Sequence, residues 1–111
     1  MKVTAVETFV VPSEHWNPWV FCAVRTDEGI TGYGECSDGR NPYGIVETAK
    51  EFEAILLGLD PNAGEARYWD MYRMARQSPG GIAAKAIAGI DLALWDIKGK
   101  ALGIPVYELA G

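Results

Sequence analysis

The chain has 111 residues, enough for one domain with a modest core. Hydrophobic residues make up 49% and charged residues 23%, the balance of an ordinary globular domain. Ten Lys and Arg against fifteen Asp and Glu give a net charge of −5, and no basic cluster offsets it. That excludes nucleic acid or an anionic membrane as the main partner.

The N-terminus reads Met1-Lys2-Val3-Thr4-Ala5-Val6-Glu7. Glu7 interrupts the apolar run too early for a signal peptide or a membrane span, so a cytoplasmic setting is expected. Residues 2–11 are rich in β-formers and stop at Pro12. Residues 19–26 and 30–36 form a hairpin through Asp27-Glu28-Gly29, where Gly29 supplies the positive φ of the turn. The three segments predict an antiparallel meander. Its even face carries Val20, Cys22, Val24, Ile30, Gly32, Gly34 and Cys36, and the two glycines leave room for a close neighbour. Its odd face, with Phe21, Ala23, Arg25, Thr31, Tyr33 and Glu35, is more polar.

Pairing Thr26 with Ile30 places Cys22 opposite Gly34 and leaves Cys36 diagonal to it. Diagonal neighbours sit about 7–8 Å apart, so two free buried thiols are expected rather than a disulfide. Neither has a His, Lys or Arg beside it in sequence to activate a thiolate.

Three helices follow. Ile45, Ala49, Phe52, Ile55 and Leu56 keep helical spacing over 44–58, which ends at Gly58 and Asp60-Pro61. Ala66, Trp69 and Tyr72 mark a second helix over 63–76. Ser78-Pro79 reads as cap and first position of a third, which spans about 82–102 and stops at Gly103 and Pro105. On it Ala86, Ile90, Ala93, Ile97 and Ala101 share one face, widened by Ile87, Leu94 and Trp95, so most of the cylinder is expected to be buried. Asp96 and Lys100 form an i,i+4 pair on the remainder. Asp91 lies within the apolar segment and is expected to be a carboxylate tied to backbone donors; a catalytic acid there lacks a visible base or metal partner. So apolar a helix near the last residue predicts a partner beyond Gly111.

Little in the chain carries chemistry. His15 is the single histidine, Cys22 and Cys36 lack zinc spacing, and there is no nucleophile elbow or P-loop. Gly80-Gly81 at a helix start could meet an anion or serve as a flexible entry. Catalytic and metal-ligating residues are therefore expected to be none. Two loops are richer: Ser13 to Trp19, with a histidine and two tryptophans, and Ser37 to Tyr43, with Asp38, Arg40 and Asn41. One leads into the second strand and the other leaves the third, so both emerge at one end of the sheet. Such residues either contact a ligand or pack down on the sheet.

Two segments carry a resemblance. Thr26 to Glu35, and Ala86 to Val106 continuing through Tyr107-Glu108-Leu109-Ala110-Gly111, resemble the N-terminal capping domain of the enolase superfamily, in its mandelate racemase and muconate-lactonizing group. Arg76 to Ile82 is similar to the sugar-acid dehydratases of that group. The resemblance implies an α+β fold, a three-stranded antiparallel meander followed by three helices, over residues 1–111. It implies a modified TIM barrel elsewhere, absent from this chain, whose carboxylates hold Mg²⁺ while a proton α to a substrate carboxylate is removed. The cap's two loops would close over the barrel mouth and select a small carboxylic acid, with His15, Trp16, Trp19, Arg40 and Tyr43 as substrate contacts. The chain is then expected to be inactive alone, the cap of a lyase or isomerase. The alternative is a stand-alone binding or assembly module that keeps the cap fold. In either case self-association through the exposed helix face, or a homo-oligomer, is expected.

Overall fold

The computed structural model describes residues 1–15 and 17–111; Trp16 lies outside the described residues. Three strands, β1 (Val3–Val11), β2 (Trp19–Thr26) and β3 (Thr31–Glu35), form an antiparallel sheet in the order β1-β2-β3. Four helices follow: α1 (Pro42–Leu56), α2 (Gly64–Met74), α3 (Gly81–Leu102) and the single turn α4 (Val106–Leu109). The expected α+β meander with helices on one face is therefore present.

The hairpin register is the expected one. Cys22 faces Gly34, Val24 faces Gly32, and the Thr26 amide donates to the Ile30 carbonyl at 3.1 Å. Gly29 turns the chain with φ 77°. Cys22 and Cys36 are free and buried. Contact with Cys36, then burial, pushes the Cys22 thiol up, so it stays protonated.

The even face of the sheet is the core. Val20, Cys22, Val24 and Cys36 are buried there with Ile45, Phe52 and Leu56 of α1, Met71 of α2, and Ile90, Leu94 and Ile97 of α3. α3 crosses β3 backbone to backbone. A methyl group at Gly32 would collide with the Ala93 carbonyl, and one at Gly34 with the Gly89 carbonyl. Conversely, a Cβ on Gly89 would stand 2.7 Å from the Cys36 Cβ. Two residues of strand rise about 6.8 Å and four residues of helix about 6 Å, so both glycines of β3 meet α3 at successive turns.

Side chains and loops cap part of each sheet edge. On β1, the Val3 amide donates to the Leu59 carbonyl, the Gly58 amide to the Val3 carbonyl, and the Val6 amide to the Glu53 carboxylate. On β3, the Tyr33 amide donates to Asp96 at 2.9 Å and Lys100 donates to the Thr31 carbonyl at 2.7 Å. The expected Asp96–Lys100 pair forms at 2.7 Å, and it also occupies edge groups that would otherwise be open to a further strand.

Three expectations need correction. The first helix begins at Pro42, because Asn41 adopts a left-handed N-cap (φ 50°) and turns the chain early; Tyr43 is therefore helical. The third begins at Gly81, not at Pro79. The Ser78 amide closes a turn on the Ala75 carbonyl, and Gly81 has φ 58°, outside right-handed helix. The turn α4 was not expected; Pro105 starts it, its carbonyl accepting the Glu108 amide at 3.0 Å. The expected burial of α3 holds for most of its apolar stripe, which this chain's own sheet and helices cover: Ala86, Ile90, Ala93 and Ile97 are buried, whereas Ala101 is exposed. What stays open is narrower: Leu92 is 52% exposed and Trp95 37%.

Gly34→Ala should cost about 3 kcal/mol or more, as overpacking against rigid backbone does. Gly64→Ala, which meets open space, should change stability little. Denaturant unfolding of the two variants checks this.

Candidate functional site

The two loops singled out in the sequence are neighbours. β2 begins where 12–18 ends, β3 ends where 37–41 begins, and adjacent antiparallel strands bring those points together. Ser37 locks the junction: its hydroxyl accepts the Val20 amide at 2.8 Å and donates to the Val20 carbonyl at 3.4 Å. The Cys36 amide donates to the same carbonyl at 2.8 Å. Further out, Gly39 lies against the Asn17 side chain, with its Cβ direction 3.1 Å from Nδ2. Lys85 of α3 holds Asp38 at 3.7 Å. The second loop is thus anchored on the first loop, on β2 and on α3.

The proposed contact residues distribute unevenly on this platform. His15 and Arg40 are exposed on the two loops. Tyr43 is 72% exposed on the first turn of α1. Trp19 opens β2 on the odd face, away from the helices, and its ring stacks on Phe21 at 6.2 Å with planes 9° apart. It is 45% exposed, as are Phe9 at 43% and Val11 at 42%, which pair with Phe21 and Trp19 in the sheet. Trp19 therefore packs along the sheet and still presents much of its ring. Trp16 is outside the described residues. Arg40 makes no ion pair among the described residues, whereas Lys85 is engaged by Asp38. On a domain of net charge −5, that leaves Arg40 as the cation of the loop pair.

Sequence reasoning missed Ser37, Asn17 and Lys85, which position the loops. Only Ser37 had a readable signal, a short polar residue immediately after a strand; the other two contacts depend on how loops and helix meet in space.

Elsewhere, a groove of about 620 Å³ runs along the β3 edge, lined by Tyr33, Glu35, Leu92, Trp95, Val106 and Ala110. A second hollow of about 400 Å³ lies between the start of α2 and Leu94, Trp95 and Lys98. Neither is formed by the two loops. Among the described residues no three His, Cys, Asp or Glu side chains converge to hold a metal ion. The described residues therefore do not fit a Mg²⁺ site. Among the described residues no helix is long and apolar enough to cross a membrane.

Asp91 departs from expectation. No hydrogen bond to its carboxylate is present among the described residues, so it is not tied to backbone donors. Partial burial raises its pKa above the ordinary aspartate range.

Residues 3–111 match the family model "Mandelate racemase / muconate lactonizing enzyme, N-terminal domain". The chain is 43% identical over 111 residues to a D-galactonate dehydratase of Ralstonia pickettii, covering all of this chain and 28% of that protein. It superposes with TM-score 0.91 and 38% identity on a member of the enolase superfamily from Salmonella typhimurium, covering 99% of this chain and 29% of the other. It does so with TM-score 0.92 and 32% identity on an enolase from Pantoea ananatis with bound D-gluconate and Mg, covering 99% and 27%. The chain thus spans under a third of the length of the proteins it matches.

Two outcomes follow from the geometry. Ser37→Ala should cost about 1–2 kcal/mol, since it leaves the Val20 amide without its acceptor, and hydrogen exchange at Val20 should rise. Asp91→Asn should raise the thermal midpoint at pH 7. A raised carboxyl pKa means that the folded state favours the protonated form. Stability is therefore fully present below the unfolded pKa and is lost as pH rises through the folded one. The advantage of Asn over Asp should accordingly vanish near pH 3, in a melting series over pH.

Proposed function

The chain belongs to the mandelate racemase / muconate lactonizing enzyme N-terminal domain family of the enolase superfamily, and from that premise we propose that residues 1–111 are the substrate-capping domain of a Mg²⁺-dependent sugar-acid dehydratase. The observation that carries the reading is the paired loops: two chemically rich segments held side by side by Ser37, Gly39 and Asn17 at one end of a rigid sheet. The D-galactonate dehydratase relatives support the substrate class.

In this reading the reaction removes the proton α to a sugar-acid carboxylate and expels a β-hydroxyl as water. The barrel that the family implies would hold Mg²⁺ and supply the acids and bases. This chain's residues bind, orient and exclude water. Arg40 offers a planar fork of N–H donors to a carboxylate or to vicinal hydroxyls of the substrate. Trp19 walls the mouth from solvent, a role the family resemblance also implies for Trp16, and exclusion of water strengthens the electrostatics at the reacting centre. His15 and Tyr43 add hydrogen-bonding groups at the rim. The open strip at Leu92, Trp95 and Val106 is the surface on which the barrel would rest.

In the full-length enzyme, Arg40→Ala should raise KM for D-galactonate or its preferred hexonate at least about tenfold, the loss of one charge-assisted contact. Trp19→Ala should broaden the range of sugar acids accepted. The thermal midpoint should stay close to the parent's for Arg40→Ala, whose side chain is exposed, and fall modestly for Trp19→Ala, which loses its stack on Phe21. Unchanged kinetics for both variants across a panel of hexonates and hexarates would overturn the assignment.

A further inference from the structure

The exposed face of α2 is built to meet a copy of itself. α2 has 11 residues, and Trp69 is its midpoint. Glu65, Ala66, Trp69, Tyr72 and Arg73 are all exposed and recur at intervals of three and four, a single stripe along the helix. Met71, on the opposite side, is fully buried.

The stripe is arranged symmetrically about Trp69. Glu65 lies four residues before it and Arg73 four residues after. When two such helices pack antiparallel about a two-fold axis through Trp69, each Glu65 faces the other copy's Arg73. Each Ala66 then makes room for the other copy's Tyr72. An isologous contact requires this pattern: a patch complementary to itself after rotation. Glu65 has no ion-pair partner among the described residues. Arg73 reaches Asp70 only at 3.4 Å with its side chain 70% exposed, so it is available.

The centre is preformed. The Trp69 ring meets Tyr68 and Tyr72 edge to face, both at 5.4 Å, and Tyr68 stacks on Tyr72 at 6.2 Å. Trp69 nevertheless remains 43% exposed and Tyr72 37%. A braced, half-exposed tryptophan flanked by charges has the composition of an interface centre with its rim.

We propose that α2 is a homodimer contact, two copies packing antiparallel with Trp69 on the two-fold axis and Glu65–Arg73 ion pairs across it. The helix is about 16 Å long, and one helix pair covers less than the roughly 800 Å² per partner of a standard interface. The contact therefore belongs to the weak class and is best trapped covalently. It is independent of the capping role.

The test is disulfide trapping in the full-length protein under mild oxidation. Trp69→Cys should give a covalent dimer, since a residue on the axis meets its own copy. Glu65→Cys and Arg73→Cys should not crosslink singly, but a mixture of the two should. Both are exposed, so this arm survives if loss of Trp69 weakens folding. Adding Glu65→Arg to Trp69→Cys should slow trapping at least about tenfold, and the further change Arg73→Glu should restore the rate to within about threefold, because the swap rebuilds the pairs. Failure of both Trp69→Cys and the mixed pair to crosslink would overturn the proposal. So would crosslinking of the single variants at the same rate as the mixture, or trapping that ignores the charge reversal. Those results would point to another surface, such as the apolar face around Phe9 and Trp19, or to no association.

Discussion

The backbone-to-backbone approach of α3 to β3 is the constraint on which the rest of the domain depends. Gly32 and Gly34 on the strand, and Gly89 on the helix, remove the atoms that would keep the two elements a side chain apart. The near match between two strand residues and four helix residues lets the contact repeat at the next turn. Once α3 is seated this closely, Ile90, Leu94 and Ile97 enter the core beside Val24 and Phe52. Asp96 and Lys100 also come within reach of the β3 edge, where they occupy the Tyr33 amide and the Thr31 carbonyl. A surface ion pair worth only a few tenths of a kcal/mol on a helix thereby helps keep a three-stranded sheet from pairing with a fourth strand.

With part of each sheet edge occupied, the domain's free surfaces become specific. The loop end of the sheet is rigid at its base, where Ser37 and the Cys36 amide meet Val20, and open at its tip, where His15, Arg40 and Tyr43 project. That combination suits a specificity element: a fixed platform carrying adaptable polar groups. The strip at Leu92 and Trp95 lies on the α3 side, and the Trp69 stripe lies on α2. In the proposed reading these surfaces would take substrate, barrel and a second copy, the last two adjoining at the hollow between Ala66 and Trp95.

The tertiary environment also revised individual residues. Trp19 was singled out for the loop it ends, yet the strand register turns its ring onto Phe21. Asp91 stands in an apolar helix segment without the backbone donors expected for it, and its carboxyl is correspondingly harder to ionise. Tyr43 became helical because Asn41 takes a left-handed conformation that a short amide side chain tolerates.

The order of strands and helices, the Thr26–Ile30 hairpin, the free cysteines and the glycines awaiting a close neighbour were all legible in the chain. They rest on local rules: alternation, helical spacing, turn residues and register. The helix starts at Pro42 and Gly81 were less legible, because backbone conformations at Asn41 and Gly81 override the capping pattern. Of the candidate site, sequence alone picked out the two loops and their end of the sheet. Which groups anchor them, Ser37 to Val20, Gly39 to Asn17 and Asp38 to Lys85, was decided in three dimensions. So was the filling of the α3 apolar stripe by this chain's own sheet. Those contacts join residues far apart in sequence: pairing of β2 with β3 brings Ser37 to Val20 and one loop to the other, and the seating of α3 on the glycines of β3 brings Lys85 to Asp38.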